Sequence, residues 1–268
     1  DAQREADTDA VVRVSRASIC GSDLHLWHGA MPIPEKGFAV GHEFVGVVED
    51  AGPSVQTVRR GDRVLASALV GCGSCPPCRS GLWSGCRVIT AGGGQNVFGF
   101  SASLPGGQAE AVRVPFADTN LFPIPRDLTD EQALFLTDIL PTGYMGAELA
   151  EVSPGDVAVV MGSGPVGAFA QRCAQLRGAA RVLAVDLDEG RLARARERGC
   201  EAINPKSADL AARVAEVTDG RGADAVIEAV GQGDLLLKGI EIARAGGRIA
   251  AIGVISTPIA FPVLALFL

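Results

Sequence analysis

The residues best equipped for chemistry lie far apart along this 268-residue sequence. Gly41-His42-Glu43-Phe44-Val45-Gly46 sets an imidazole beside a carboxylate between glycines, in a chain with three histidines. A thiol stands upstream at Cys20 and a carboxylate downstream at Asp138. We read Cys20, His42 and Asp138 as sharing one catalytic metal ion, since thiolate, imidazole and carboxylate are the donors such an ion uses. Ser18-Ile19-Cys20-Gly21-Ser22-Asp23-Leu24-His25 crowds turn formers and groups capable of proton or metal chemistry together. Taken alone it would be an ordinary polar turn with a buried cysteine. Asp138 interrupts the apolar helical pattern Leu136 to Tyr144. A carboxylate there must be paired, hydrogen-bonded or metal-bound, unless it sits on an exposed helix face.

Cys72, Cys75, Cys78 and Cys86 form a second constellation, separated by two, two and seven residues. Four thiolates from one loop close a tetrahedron around Zn²⁺ with no open position, which makes the site structural. An iron–sulfur cluster fits less well, because the last gap is long and Arg87 replaces the proline expected after the fourth cysteine. A nucleic-acid-binding zinc ribbon is disfavoured by the acidic balance, with only Arg79 and Arg87 nearby. Cys173 and Cys200 lie in apolar helical patterns and read as small buried residues.

A third group is Gly162-Ser163-Gly164-Pro165-Val166-Gly167. It follows the continuous apolar run Val157–Met161, suited to a central parallel strand, and opens a helical pattern that runs to about Leu176. In that setting the backbone N–H groups and helix dipole face a pyrophosphate. A second strand, Arg181–Val185, ends at Asp186, about 20 residues beyond the glycines as the dinucleotide fingerprint requires. A carboxylate there accepts from the adenosine ribose hydroxyls and repels a 2′-phosphate, so NAD is preferred to NADP. Arg191 is near enough to reach the adenine, although Arg191, Arg194, Arg196 and Arg198 also fit a solvated helix face.

The elements that must position these groups fall into two textures. Before Asp138, short strands (Val11–Val14, Phe44–Val48, Gly61–Leu65) alternate with tight turns, including Ala91-Gly92-Gly93-Gly94 and Pro105-Gly106-Gly107, as in a compact β-barrel-like domain. Leu128 to Gln132 begins a helix. After Ser153-Pro154-Gly155-Asp156 the pattern becomes doubly wound α/β: strands at 157–161, 181–185, 201–204, 223–230 and 247–253, with helices at 208–217 and about 234–243 among those between them, lacking a last strand. We therefore expect two domains, 1–138 and 139–268.

With 47% hydrophobic residues the chain can bury such cores, and its net charge of −7 argues against a nucleic-acid surface. No secretory signal opens it and no apolar run is long enough to span a bilayer, so a cytoplasmic protein without membrane or nucleic-acid partners is expected. It begins at Asp1 and stops in the apolar run Pro262–Leu268, which reads as a fragment.

Together these features resemble the zinc-dependent medium-chain alcohol dehydrogenases. The resemblance spans nearly the whole chain and rests, in family order, on Cys20-Gly21-Ser22-Asp23-Leu24-His25, Gly41-His42-Glu43-x2-Gly46-x5-Gly52, the four-cysteine lobe, Asp138 with Pro141-Thr142-Gly143, and the glycine fingerprint. Asp138, with Gly106-Gly107-Gln108-Ala109-Glu110, is similar to the bacterial secondary-alcohol and glutathione-independent formaldehyde dehydrogenase branches; liver-type enzymes have cysteine at the former position. The resemblance implies a GroES-like β-barrel catalytic domain and a Rossmann domain, both truncated. It implies one catalytic Zn²⁺ on Cys20, His42 and Asp138 and one structural Zn²⁺ on the four cysteines. Glu43 would be a transient or outer carboxylate, and Asp23 would orient the His42 ring. Ser22 would take the alcohol proton and pass it through the nicotinamide ribose to His25, with Thr142 and Gly143 near the nicotinamide. His28 matches no family role and reads as a surface residue.

The implied activity is hydride transfer from a small primary or secondary alcohol to NAD by a homo-oligomer, a dimer or tetramer at full length. Formaldehyde oxidation or dismutation, threonine or polyol dehydrogenation, and a non-catalytic nucleotide-binding scaffold are the alternatives.

Overall fold

The computed structural model describes residues 2–31, 37–91 and 95–267, so the Gly92–Gly94 punctuation and Leu268 lie outside the described residues. The chain divides into two compact units, Asp1–Asp138 and Ile139–Leu268. Among the described residues no helix is long and apolar enough to cross a membrane.

The first unit runs β1 (Ala10–Ala17), α1 (Gly21–Trp27), β2 (Phe44–Ala51), β3 (Arg63–Ala66), α2 (Pro76–Arg79), β4 (Ala111–Val114), α3 (Ala117–Asn120), β5 (Leu121–Pro123) and α4 (Asp130–Leu134). The strands make one antiparallel sheet in the order β4-β1-β2-β3-β5. Alternating residues explain the pairing: Val12, Val48, Val64, Val112 and Leu121 share one buried cluster with Phe44 and Phe98. Those two rings meet edge to face, with centroids 5.1 Å apart. Thr129 starts α4 with a capping box, its hydroxyl accepting from the Gln132 N–H while Gln132 Oε1 accepts from the Thr129 N–H.

The second unit runs α5 (Ile139–Leu149), β6 (Val157–Met161), α6 (Pro165–Leu176), β7 (Arg181–Val185), α7 (Glu189–Glu197), β8 (Glu201–Ile203), α8 (Leu210–Val217), β9 (Ala223–Glu228), α9 (Gly233–Ile242), β10 (Ala243–Ala251) and α10 (Val263–Phe267). The sheet is parallel in the order β10-β9-β6-β7-β8. Every side chain of β6 is buried because helices cover both faces. Ala158 and Val160 pack into one apolar cluster and Val157, Val159 and Met161 into the other. Burying a Val or Met side chain fully contributes about 1.5–3 kcal/mol, so this strand anchors the unit.

Cys20 to His25 opens a helix: Cys20 caps α1, because the Asp23 carboxylate reaches back to the Cys20 N–H at 2.9 Å and satisfies a donor that a helix start leaves free. Two expectations are corrected. Asp138 does not interrupt a helix but stands in the turn between α4 and α5. Cys173 and Cys200 are both buried, but Cys200 lies in the turn between α7 and β8.

Candidate active site

In the first unit, three separate stretches deliver their donors to one point. Cys20 arrives at the start of α1, His42 and Glu43 immediately before β2, and Asp138 from the turn after α4. That turn is tied to the chain beyond β3 by the Ala68 N–H, which donates to the Thr137 carbonyl at 3.1 Å. His42 Nε2 lies 3.3 Å from Asp138 Oδ2, and Cys20 Sγ lies 3.7 Å from the same oxygen. One ligand atom each from Cys20, His42, Glu43 and Asp138 falls within 4.8 Å of the others. A zinc tetrahedron with ordinary bond lengths has an N to O edge of about 3.4 Å and an S to O edge of about 3.6 Å, so the spacings fit a zinc ion.

The surroundings fit as well. His42 Nδ1 faces Asp23 Oδ1 at 3.4 Å, which leaves Nε2 directed at the cluster. Glu43 Oε2 accepts from the Ser18 hydroxyl, while Glu43 Oε1 is buried with no hydrogen-bond partner among the described residues. An oxygen in that state is costly unless a cation meets it. Burial pushes the Glu43 carboxyl above its ordinary range and Asp138 adds to this, with Ser18 offsetting part. Burial alone would lower the His42 pKa, but Asp138, Asp23 and Cys20 outweigh it and push it up to about 12. The pocket is built around positive charge. Ser22 Oγ lies 3.9 Å from Cys20 Sγ, and His25 follows one turn later, half-buried. His28 is exposed.

Sequence reasoning assigned no role to Ser18 or Gln108. Gln108 Nε2 stands 3.5 Å from Asp23 Oδ2 and 3.5 Å from the Ser18 carbonyl. Neither residue has a type or spacing that announces a ligand; the only signal was that each lies within a conspicuous stretch, Ser18 to His25 and Gly106 to Glu110.

The four cysteines also converge, with one sulfur from each within 4.8 Å of the others. All are free thiols. Cys72 Sγ to Cys78 Sγ is 3.9 Å and Cys75 Sγ to Cys86 Sγ is 4.0 Å, against about 3.8 Å for an edge of a four-thiolate zinc tetrahedron. Cys75 caps α2, which carries Cys78. Buried Asn120 fastens the lobe, accepting from the Gly71 N–H and donating to the Gly71 carbonyl, each at 2.9 Å. Burial opposes the Cys72 thiolate, but Ser74 and the backbone N–H groups of Ser74 and Cys75 bring its pKa down to about 6. Burial and the neighbouring thiols push Cys78 up to about 12.

In the second unit the glycine string follows β6 and leads into α6, with Gly164 as N-cap and Pro165 in the first turn. A Cβ on Gly167 would lie 1.9 Å from the Gly162 carbonyl oxygen, so only glycine closes this turn. A Cβ on Gly164 would meet nothing nearer than Arg191 Nη1 at 3.9 Å, which leaves an open face where a phosphate can approach the backbone. Asp186 Oδ2 accepts from the Ser163 N–H at 2.8 Å and Oδ1 from the Asp188 N–H at 2.9 Å. Burial works against the charged form, yet those N–H groups and Arg191 hold the Asp186 carboxyl below its usual range. Arg191 is exposed, as a solvated helix face would have it, and its Nη1 also lies 3.6 Å from Asp186 Oδ2. Buried Gln171 donates to Ser163 Oγ at 2.9 Å, a support the sequence did not disclose. Thr142 is half-buried on α5, and Gly143 packs against α6, where a Cβ would lie 2.7 Å from the Ala170 nitrogen.

Comparison with known proteins finds a domain match within each unit. Residues 6–126 match the model of the alcohol dehydrogenase GroES-like domain and residues 165–268 that of the zinc-binding dehydrogenase domain. The chain is 42% identical to a zinc-binding alcohol dehydrogenase homologue of Mycobacterium tuberculosis, over 91% of this chain and 61% of that protein. It is 37% identical to an alcohol dehydrogenase of Cupriavidus necator, over 96% of this chain and 73% of that one. Among solved structures, alcohol dehydrogenase TADH from Thermus sp. ATN1 superposes with a TM-score of 0.90 at 41% identity, over 98% of this chain and 75% of that one. A zinc-binding dehydrogenase from Sinorhizobium meliloti 1021, bound to NADP, does so at 0.86 and 27%, over 99% and 75%. The chain thus spans from about three-fifths to three-quarters of these relatives' lengths. With an antiparallel GroES-like unit followed by a parallel Rossmann unit, the protein belongs to the zinc-dependent medium-chain alcohol dehydrogenase family.

Proposed function

We propose that the protein transfers a hydride from a small primary or secondary alcohol to NAD, giving an aldehyde or ketone. The observation that carries this reading is the approach of His42 Nε2 and Cys20 Sγ to one oxygen of Asp138, at 3.3 and 3.7 Å. Cys20, His42 and Asp138 would hold a catalytic zinc ion, with Glu43 beside them as a second carboxylate. Zinc, when bound, supplies the Lewis acidity that lets a hydroxyl proton leave near neutral pH. The chain's own residues do the rest. Asp23 would orient the His42 ring, its Oδ1 facing Nδ1 at 3.4 Å. Ser22 takes the alcohol proton, and His25 delivers it to water. Cys72, Cys75, Cys78 and Cys86 would hold a second zinc with no open position, for structure alone.

Gly162, Gly164, Pro165, Val166 and Gly167 would receive the pyrophosphate, Asp186 the adenosine ribose with Arg191 alongside, and Thr142 and Gly143 the nicotinamide. The Asp186 carboxyl supports NAD over NADP, because its negative charge opposes a 2′-phosphate. Seven free cysteines suit a reducing compartment, and we place the protein in the cytoplasm as a homo-oligomer.

The test uses the full-length protein. About two zinc ions per chain and NAD reduction by at least one short alcohol are expected. One zinc per chain, with no NAD reduction across short alcohols, aldehydes and amino alcohols, would replace the reading with a nucleotide-binding scaffold. A kcat/KM with NADP equal to or above that with NAD would withdraw the NAD preference.

A further inference from the structure

Glu228 has no part in the scheme above, yet it is completely buried and ends β9. It pairs in register with Met161, the last residue of β6, on one side and with Ala251 of β10 on the other. The residues before it, Val226 and Ile227, are apolar core. Sheet packing therefore supplies no reason for a carboxyl group at this position, and burying one is costly unless it is used.

Its partners show what it gathers. Glu228 Oε1 accepts from the backbone N–H groups of Val230 and Gly231 at 2.9 and 2.8 Å, with that of Gln232 at 3.4 Å. The Glu228 carbonyl accepts from the N–H groups of Ile252 and Gly253 at 2.8 and 3.1 Å. Oε2 is buried without a hydrogen-bond partner among the described residues and would be 2.7 Å from a Cβ on Gly253. One residue thus binds the segment leaving β9 and the segment leaving β10.

The first of those segments backs the glycine turn. The Ala229 N–H donates to the Met161 carbonyl at 2.9 Å, and a Cβ on Gly162 would lie 2.7 Å from Val230 Cγ2. β6 and β9 are also the strands between which the chain changes direction across the sheet, the switch point where open parallel sheets bind ligands.

We propose that Glu228 is a positioning residue for dinucleotide binding: it clasps residues 229–232 behind the glycine turn and so holds that turn ready for the pyrophosphate. The proposal rests on the reading of this turn as the nucleotide site. A loop held in its bound shape before the ligand arrives binds more tightly, since less order is lost on binding.

In the full-length protein, Glu228→Ala removes the clasp, while Glu228→Gln keeps its shape and one acceptor oxygen. NADH titrated by fluorescence should bind about tenfold more weakly to Glu228→Ala, the effect of losing several hydrogen bonds to a carboxylate, and less weakly to Glu228→Gln. Zinc content and the KM for alcohol should stay unchanged. In the wild type without nucleotide, the amides of Val230 and Gly231 should be protected from hydrogen exchange, and Glu228→Ala should release them. Unchanged NADH affinity in a folded Glu228→Ala protein overturns the proposal. So does rapid exchange of these amides in the wild type, a measurement that needs no variant. A wild type that binds neither NADH nor NADPH removes the nucleotide reading as well, whereas normal wild-type binding with an unaffected variant removes only this proposal.

Discussion

At the candidate metal centre, individual side chains decide which species can occupy the pocket. Asp23, Glu43 and Asp138 surround one imidazole, and Cys20 adds a thiol. The same acidic neighbours that push the His42 pKa up would favour a divalent ion, and because a metal takes the imidazole unprotonated, uptake of metal and release of protons are linked. Asp138 is the donor that both His42 and Cys20 approach, and its removal should be selective. We expect Asp138→Ala to lower metal content from about two zinc to about one per chain and to cut kcat by roughly 100-fold or more, with the four-cysteine zinc retained. Element analysis with steady-state kinetics checks this, and a variant with normal kcat would take Asp138 out of the ligand set. Cys20, His42 and Asp138 could be picked out of the sequence as candidates because a thiol, an imidazole and a carboxylate among apolar neighbours are chemically conspicuous; Asp138 itself is half-buried. Ser18 and Gln108 were not. Their carboxyl partners Glu43 and Asp23 stand 25 and 85 positions away, and nothing in a polar loop residue declares a partner at that distance.

At the scale of elements, the ends of strands matter more than their middles. Val157–Met161 was readable as a continuous apolar run, and it and Arg181–Val185 keep the bounds their patterns indicated, as α6 keeps its end at Leu176; β10 runs Ala243–Ala251, starting four residues before the pattern at Gly247 indicated. The start of α1 was not, since Ser22 and Asp23 favour turns and helix N-termini alike, and only the Asp23 to Cys20 hydrogen bond decides between them. Asp224 shows how an end is secured. One oxygen accepts from the Val157 N–H at 2.9 Å and the other from Arg244 Nε at 2.6 Å, joining β9 to the starts of β6 and β10. Burial opposes its ionisation, but the Val157 N–H and the guanidinium of Arg244 hold its carboxyl below the usual range. A pKa lower in the folded than in the unfolded chain means stability fully present above the unfolded value, about 3.9 for Asp, and lost as pH falls through the folded one. Asp224→Asn should therefore cost on the order of 2 kcal/mol at neutral pH, and the gap to wild type should narrow below about pH 4. Denaturant titrations at pH 7 and pH 3.5 measure it; an equal gap at both would mean that ionisation contributes nothing.

At the scale of the whole molecule, the change of texture near Asp138 was visible because period-two strands with glycine turns give way to apolar strands alternating with helices. The order of the strands within each sheet was not visible, since β1 lies between β2 and β4, a neighbour from far along the chain, and hydrophobic patterning carries no record of that. The two tryptophans give the molecule its own optical gauge. Trp27 ends α1 and is 84% exposed, whereas Trp83 packs against Cys72, Cys78 and Cys86 in the four-cysteine lobe. In a Trp27→Phe protein the Trp83 emission should move to longer wavelength and become open to acrylamide once a strong chelator strips the lobe. An unmoved spectrum would mean that the lobe keeps its packing without an ion. The glow of a single side chain then follows the loosening of that knot in real time, with no added dye.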